Sequence, residues 1–163
     1  TSYTDNSPKG SVAFTYTVRA CRGNTWSSYN RGGIRVVVDE KKEILDLVNK
    51  ERAEAGLEPL EYYSVGQEAG DIRAKEIVEK FSHERPDGTM CFTVFEELGI
   101  SCSSAGENIA WGYRTPEAVM DGWMNSPGHR SNILNPSFTH LIVGYDYEEK
   151  AWVQLFLGDP YTE

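Results

Sequence analysis

The residues that most restrict the fold lie near the C-terminus: "LIVGYDYEEKAWVQLFL", two apolar segments of strand length joined at Glu148-Glu149-Lys150. Segments this short, meeting at a charged turn, read as a β-hairpin. Ahead of them the periodicity is helical. Ile44, Leu45 and Val48 share one face of a helix that opens at Asp39 and stops at Gly56, a residue suited to a left-handed stop. Ser64-x-x-Gln67 has the spacing of a capping box and opens a second helix to about Phe81, with Val65, Ala69, Ile72 and Ile77 facing inward. A short third helix in "CFTVFEELG" stops at Gly99. Thr115-Pro116-Glu117 opens a fourth, with a cap, a proline at the first position and an acid in the first turn, and Pro127-Gly128 ends it. "SAGENIAWG" is strand or loop. Helices that precede and flank a few strands make an α+β pattern, with helices packed on an antiparallel sheet.

"SVAFTYTVRAC" alternates apolar residues at Val12, Phe14, Tyr16 and Val18, and "IRVVV" is a second strand. Residues 1–38 are therefore expected to form an N-terminal β extension, a ribbon ahead of a main domain at 39–163. The chain opens on Thr1 rather than Met, and reads as a processed chain or a piece of a longer protein.

A net charge of −9 with acids spread along the chain argues against nucleic acid, whose phosphates require a basic patch. No apolar run is long enough for a transmembrane segment. The spacing of Cys91 and Cys102 allows a disulfide, with Cys21 left over. There is no Cys-x-x-Cys, so a thiolate zinc site is not expected. Trp111, Trp123 and Trp152 are expected to fill core.

Three segments carry the candidate chemistry: "FSHERPDG", "AGENIAWG" and "WMNSPGHRSNIL". Each sets a His or Glu beside turn residues, where rigid scaffolds present functional groups. Folding must bring His83, Glu107 and His129 together, because they are far apart in sequence. Two imidazoles and a carboxylate match Zn2+ or another divalent cation with a position open to water or substrate. The same trio without metal offers acid and base groups near neutral pH. Taken singly, each His reads as a hydrogen-bonded structural residue, and Glu107 as a carboxylate bonding loop amides. There is no Gly-x-Ser-x-Gly elbow to support a serine triad.

These segments, in this order, resemble the CAP superfamily (cysteine-rich secretory, antigen 5 and pathogenesis-related 1 proteins, SCP-like), its bacterial branch above all. "ILDLVNKERAEAGLEPL", with its Asn-x-x-Arg, is similar to the family's opening helix, and "THLIVGYDY" to a later block. The likeness spans about residues 39–159. It implies a three-layer α-β-α sandwich around an antiparallel sheet, and a cleft with two histidines and two acids that binds a divalent cation in some members. His83 and His129 take the two His positions and Glu107 one acid position; Ser126 stands where the second acid is expected. The resemblance further implies an extracellular or cell-surface domain whose cleft, lined by His83, Glu107, Ser126 and His129, takes a divalent cation, small ligand, peptide or glycan. Two alternatives stand beside it: a metal-dependent, peptidase-like hydrolase using His83, His129 and Glu107, and a protein-interaction module with a vestigial cleft.

Overall fold

The computed structural model describes Ala13–Tyr16, Cys21–Arg22, Thr25–Trp26, Ile34–Val37 and residues 39–162. The chain divides into two units, Thr1–Glu40 and Lys41–Glu163. In the first, β1 (Ala13–Tyr16) pairs antiparallel with β4 (Ile34–Val37), and β2 (Cys21–Arg22) with β3 (Thr25–Trp26). The expectations for Val12 and Val18 lie outside the described residues.

The main unit runs α1 (Glu40–Glu54), β5 (Glu61–Tyr62), α2 (Gln67–Glu79), α3 (Thr93–Glu97), β6 (Ile100–Ser101), β7 (Ser104–Trp111), α4 (Pro116–Met124), α5 (Pro127–Ile133), β8 (His140–Asp146), β9 (Ala151–Gly158) and β10 (Tyr161–Thr162). Four strands form the main sheet in the order β5-β8-β9-β7. The expected hairpin is β8–β9, and β7 pairs antiparallel on the other side of β9. The sheet is mixed rather than wholly antiparallel, since the edge strand β5 runs parallel to β8. β6 and β10 form a separate antiparallel pair.

Every residue of β9 is buried, so both faces of the sheet are covered. The alternation of side chains sorts them into two cores. Trp152 and Phe156, with Leu141 and Val143, pack against Ile44 and Val48 of α1, Trp123 of α4 and Ile133 of α5. Val153, Leu155 and Leu157, with Ile142, pack against Ala69 and Ile77 of α2 and Val94 and Phe95 of α3. That is the three-layer α-β-α sandwich.

Close backbone contact sets the spacing of one layer. A methyl group on Gly144 of β8 would fall 2.0 Å from the carbonyl oxygen of Gly70 in α2. The opening helix is tied down by its Asn-x-x-Arg. Asn49 donates to the Leu60 carbonyl (2.9 Å) and accepts from its amide (2.7 Å). Arg52, 1% exposed, donates to the carbonyls of Glu58, Ile133, Asn135 and Phe138 at 2.8–3.3 Å. Burial lowers its pKa from the ordinary value.

Several local expectations need correction. Ser64–Gly66 forms a 3-10 turn and α2 starts at Gln67 without a side-chain cap. The Gln67 amide bonds Asp71 and the Val143 carbonyl, so it ties helix to sheet. Val65 is exposed on that turn, not inside, and α2 ends at Glu79. Thr115 does cap α4, accepting from the Ala118 amide at 3.2 Å. Pro127, however, opens α5 instead of merely ending α4: Ser126 is extended, and a proline at the first helical position lacks only an N–H that would have no helical partner. Trp123 and Trp152 are core residues, but Trp111 is 44% exposed.

Candidate functional site

Glu107 lies in the middle of β7, opposite Leu155, and so points to the α2–α3 face of the sheet. Its side chain is 1% exposed. Arg73 of α2 meets it with two hydrogen bonds, Nε to Oε2 at 2.8 Å and Nη2 to Oε1 at 3.2 Å. Arg73 also donates to Glu76 (2.6 Å) and to the Ser82 carbonyl (3.0 Å). Glu76 in turn receives Arg85, whose other bonds reach Glu97 and Thr93. The result is an alternating chain, Glu97–Arg85–Glu76–Arg73–Glu107. Burial alone would lower the Arg73 pKa; its bonds to Glu107 and Glu76 outweigh that and raise it.

His83 sits in the loop after α2. Its Nδ1 is 2.7 Å from Glu107 Oε1, while half of its side chain is exposed. A carboxylate accepts only, so in the neutral ring Nδ1 carries the proton and Nε2 is the nitrogen available to solvent or ligand. The loop folds back on itself: the Cys91 amide donates to the His83 carbonyl at 2.9 Å, and Glu84 bridges to Met90. That return carries Cys91 underneath, where it is 1% exposed. Burial and the adjacent Glu107 push its thiol up to about 12.

His129 is the third residue of α5. Asn108 donates to its carbonyl at 3.1 Å and to Gln154 at 3.0 Å, while Asn132 donates to Asn108 and to the Glu107 carbonyl. The His129 ring lines a groove of about 400 Å³ with Phe81, Trp111, Tyr113, Trp123 and Ser126. Burial, and secondly the nearby His83, lower its pKa from 6.5. Followed by NMR, His129 should therefore titrate below pH 6.5, and His83→Ala should move the midpoint part of the way back up. Because the folded value is the lower one, the contribution of this group to stability is complete above the unfolded value. It declines as pH falls through that value towards the folded one.

His83 and Glu107 thus meet directly and His129 stands beside His83. Among the described residues, however, the donor atoms that gather within 4.8 Å of one another are those of His83, Cys91 and Glu107. His129 is not part of that cluster, and Ser126 supplies no second carboxylate. Nor do Cys91 and Cys102 form the disulfide their spacing allows: both are free thiols, Cys91 being turned under the loop against Glu107. Arg73 is not among the sequence candidates, and Cys91 is one only for a disulfide. Arg73 had a signal, since it falls between Ala69 and Ile77 at four-residue steps on the apolar face of α2.

A model of the cysteine-rich secretory protein (CAP) family matches residues 45–156. The uncharacterized protein YkwD of Bacillus subtilis is 42% identical over 120 residues, 72% of this chain and 47% of its own. The uncharacterized membrane protein YlbC of the same organism is 35% identical over 125 residues, 76% of this chain and 36% of its own. The chain thus spans less than half the length of these relatives. Among solved structures, an extracellular SCP-domain protein of Bacillus anthracis superposes with a TM-score of 0.69 at 28% identity, covering 79% of this chain and 48% of that one. An outer surface protein of Borrelia burgdorferi shares the fold alone, with a TM-score of 0.61 at 18% identity, covering 74% of this chain and 96% of that one. No helix among the described residues is long and apolar enough to cross a membrane. With the sandwich, the ordered blocks and these matches agreeing, the chain belongs to the cysteine-rich secretory protein, or CAP, family.

Proposed function

We propose that this CAP domain is an extracellular or cell-surface binding module whose groove takes an uncharged, ring-bearing ligand of the glycan class. One observation carries the reading: Phe81 and Trp111, 51% and 44% exposed, stand with ring centres 6.0 Å apart at the groove that His129 lines. Large aromatic rings left open beside hydrogen-bonding groups mark a ligand surface rather than core. Pyranose rings offer flat C–H faces for such rings, and hydroxyls for Ser126, Tyr113 and His129. Among the described residues, the groove lining contains no carboxylate, lysine or arginine. A chain of net charge −9 also disfavours anionic ligands. The outside location rests on the similar SCP-domain protein of Bacillus anthracis, which is described as extracellular.

The test is a titration with an N-acetylglucosamine tetramer, followed by tryptophan fluorescence and calorimetry. Saturable binding is expected, weakened about tenfold or more by Trp111→Ala, the effect of losing one stacked ring in a small site. Equal binding by wild type and Trp111→Ala, or preference for an aromatic peptide of similar size, would overturn the glycan assignment.

A second reading rests on His83, a ring oriented by a carboxylate and open at Nε2, as a general base requires. Cleavage of the same oligomer, lost in His83→Ala while binding persists, would make the module a hydrolase.

A further inference from the structure

We infer that Gln154 is a positioning residue for the groove: through Asn108 it holds His129 against β7, at the expense of its own hydrogen bonding. Gln154 lies in the middle of β9 and is 0% exposed. In register it stands between Asn108 of β7 and Val143 of β8. Its neighbours along the strand on the same face, Trp152 and Phe156, belong to the apolar core. Its Oε1 accepts from Asn108 Nδ2 at 3.0 Å. Its Nε2 is buried and finds no acceptor among the described residues.

The direction of the network forces this arrangement. Two backbone carbonyls, which only accept, fix its ends: Asn132 donates to the Glu107 carbonyl at 3.2 Å, and Asn108 donates to the His129 carbonyl at 3.1 Å. Asn132 also donates to Asn108 Oδ1 at 2.9 Å. Asn108 therefore turns its second N–H to Gln154, and that N–H requires an oxygen. Turning the Gln154 amide round would set donor against donor. The unused Nε2 donors are the consequence of serving Asn108. A buried donor without a partner costs stability, and a methionine of similar size would fill the space without that cost. Gln154 thus serves position rather than stability. What it positions is α5, which contains both Asn132 and His129, and His129 lines the groove beside Phe81 and Trp111. This role holds whatever the groove binds, since it concerns the placing of His129 alone.

The test is Gln154→Met in the full chain, read without ligand. Urea unfolding should give a midpoint equal to or above that of wild type. Amide hydrogen exchange should quicken about five- to tenfold at Arg130 and Leu134, whose amides bond the Ser126 and Arg130 carbonyls along α5, the effect of losing one net hydrogen bond. Exchange in the β8–β9 ladder should stay as it was. NMR signals of the His129 ring should shift, while those of His140, at the start of β8, stay in place. Asn108→Ala should reproduce both changes with a lowered urea midpoint, and adding Gln154→Met to it should quicken α5 exchange no further. Unaltered α5 exchange and His129 signals in Gln154→Met, or a lowered midpoint with exchange quickened throughout the sheet, would overturn the role. Failure of Gln154→Met to fold would overturn it too, because the amide would then be a requirement of stability. No ligand enters these measurements, so their failure is distinct from a failure of glycan binding.

Discussion

Arg73→Ala is expected to lower the unfolding free energy by about 3–5 kcal/mol, the cost of removing one partner of a buried ion pair. The side chains of Arg73 and Glu107 are 0% and 1% exposed, and two hydrogen bonds join them. Without the guanidinium, Glu107 keeps His83 as a neighbour but loses the charge opposite it, and the Ser82 carbonyl loses its donor. Urea unfolding followed by tryptophan fluorescence measures the loss. The double variant Arg73→Ala/Glu107→Gln should lose much less than the two single changes added together, since the uncompensated charge disappears. A loss below about 1 kcal/mol in Arg73→Ala would show that water reaches Glu107 and that the ion pair is not the frame of the site.

Gly144→Ala is the second large effect, expected at about 3 kcal/mol. The added methyl meets backbone, the Gly70 carbonyl oxygen at 2.0 Å, which no side-chain rotation relieves. Helix α2 would have to lift from β8, carrying Arg73 with it one turn beyond Gly70. Gly128→Ala is the contrast: nothing lies within 4 Å of its added methyl and the residue is helical, so stability should hold or rise by up to about 1 kcal/mol. Equal effects of the two changes would remove close packing as the explanation.

The hairpin and the fourth helix were legible because their signals are local. Two apolar runs around a charged turn, and Thr-Pro-Glu at a helix start, mean the same thing in most contexts. The Ser64–Gln67 spacing misled because a capping box requires the side chains to turn back on their own helix, and Gln67 found Val143 of the sheet instead. Trp111 misled because bulk and apolarity do not say on which side of a strand's end a ring falls. At the candidate site, the blocks around His83, Glu107 and His129 pointed to one region, and the fold brings the first two into contact and the third alongside. Arg73 and Cys91 were less visible. An arginine on an apolar stripe and a lone cysteine after a loop acquire meaning only once β7 supplies Glu107 between them. Pairing across 34 residues of sequence is not a local signal.

The clasp formed by Arg52 has a consequence for how small a working piece of this protein can be. Its guanidinium holds the carbonyl of Ile133, the last residue of α5, and that of Asn135 just beyond it, 81 and 83 residues downstream, and α5 is the seven-residue helix that carries His129. A helix so short has little intrinsic persistence in water. A fragment starting at Leu57 would retain every described side chain that lines the groove, yet lack the anchor that holds the end of the helix carrying His129. The smallest piece that keeps the groove intact therefore begins upstream of every described residue that lines it.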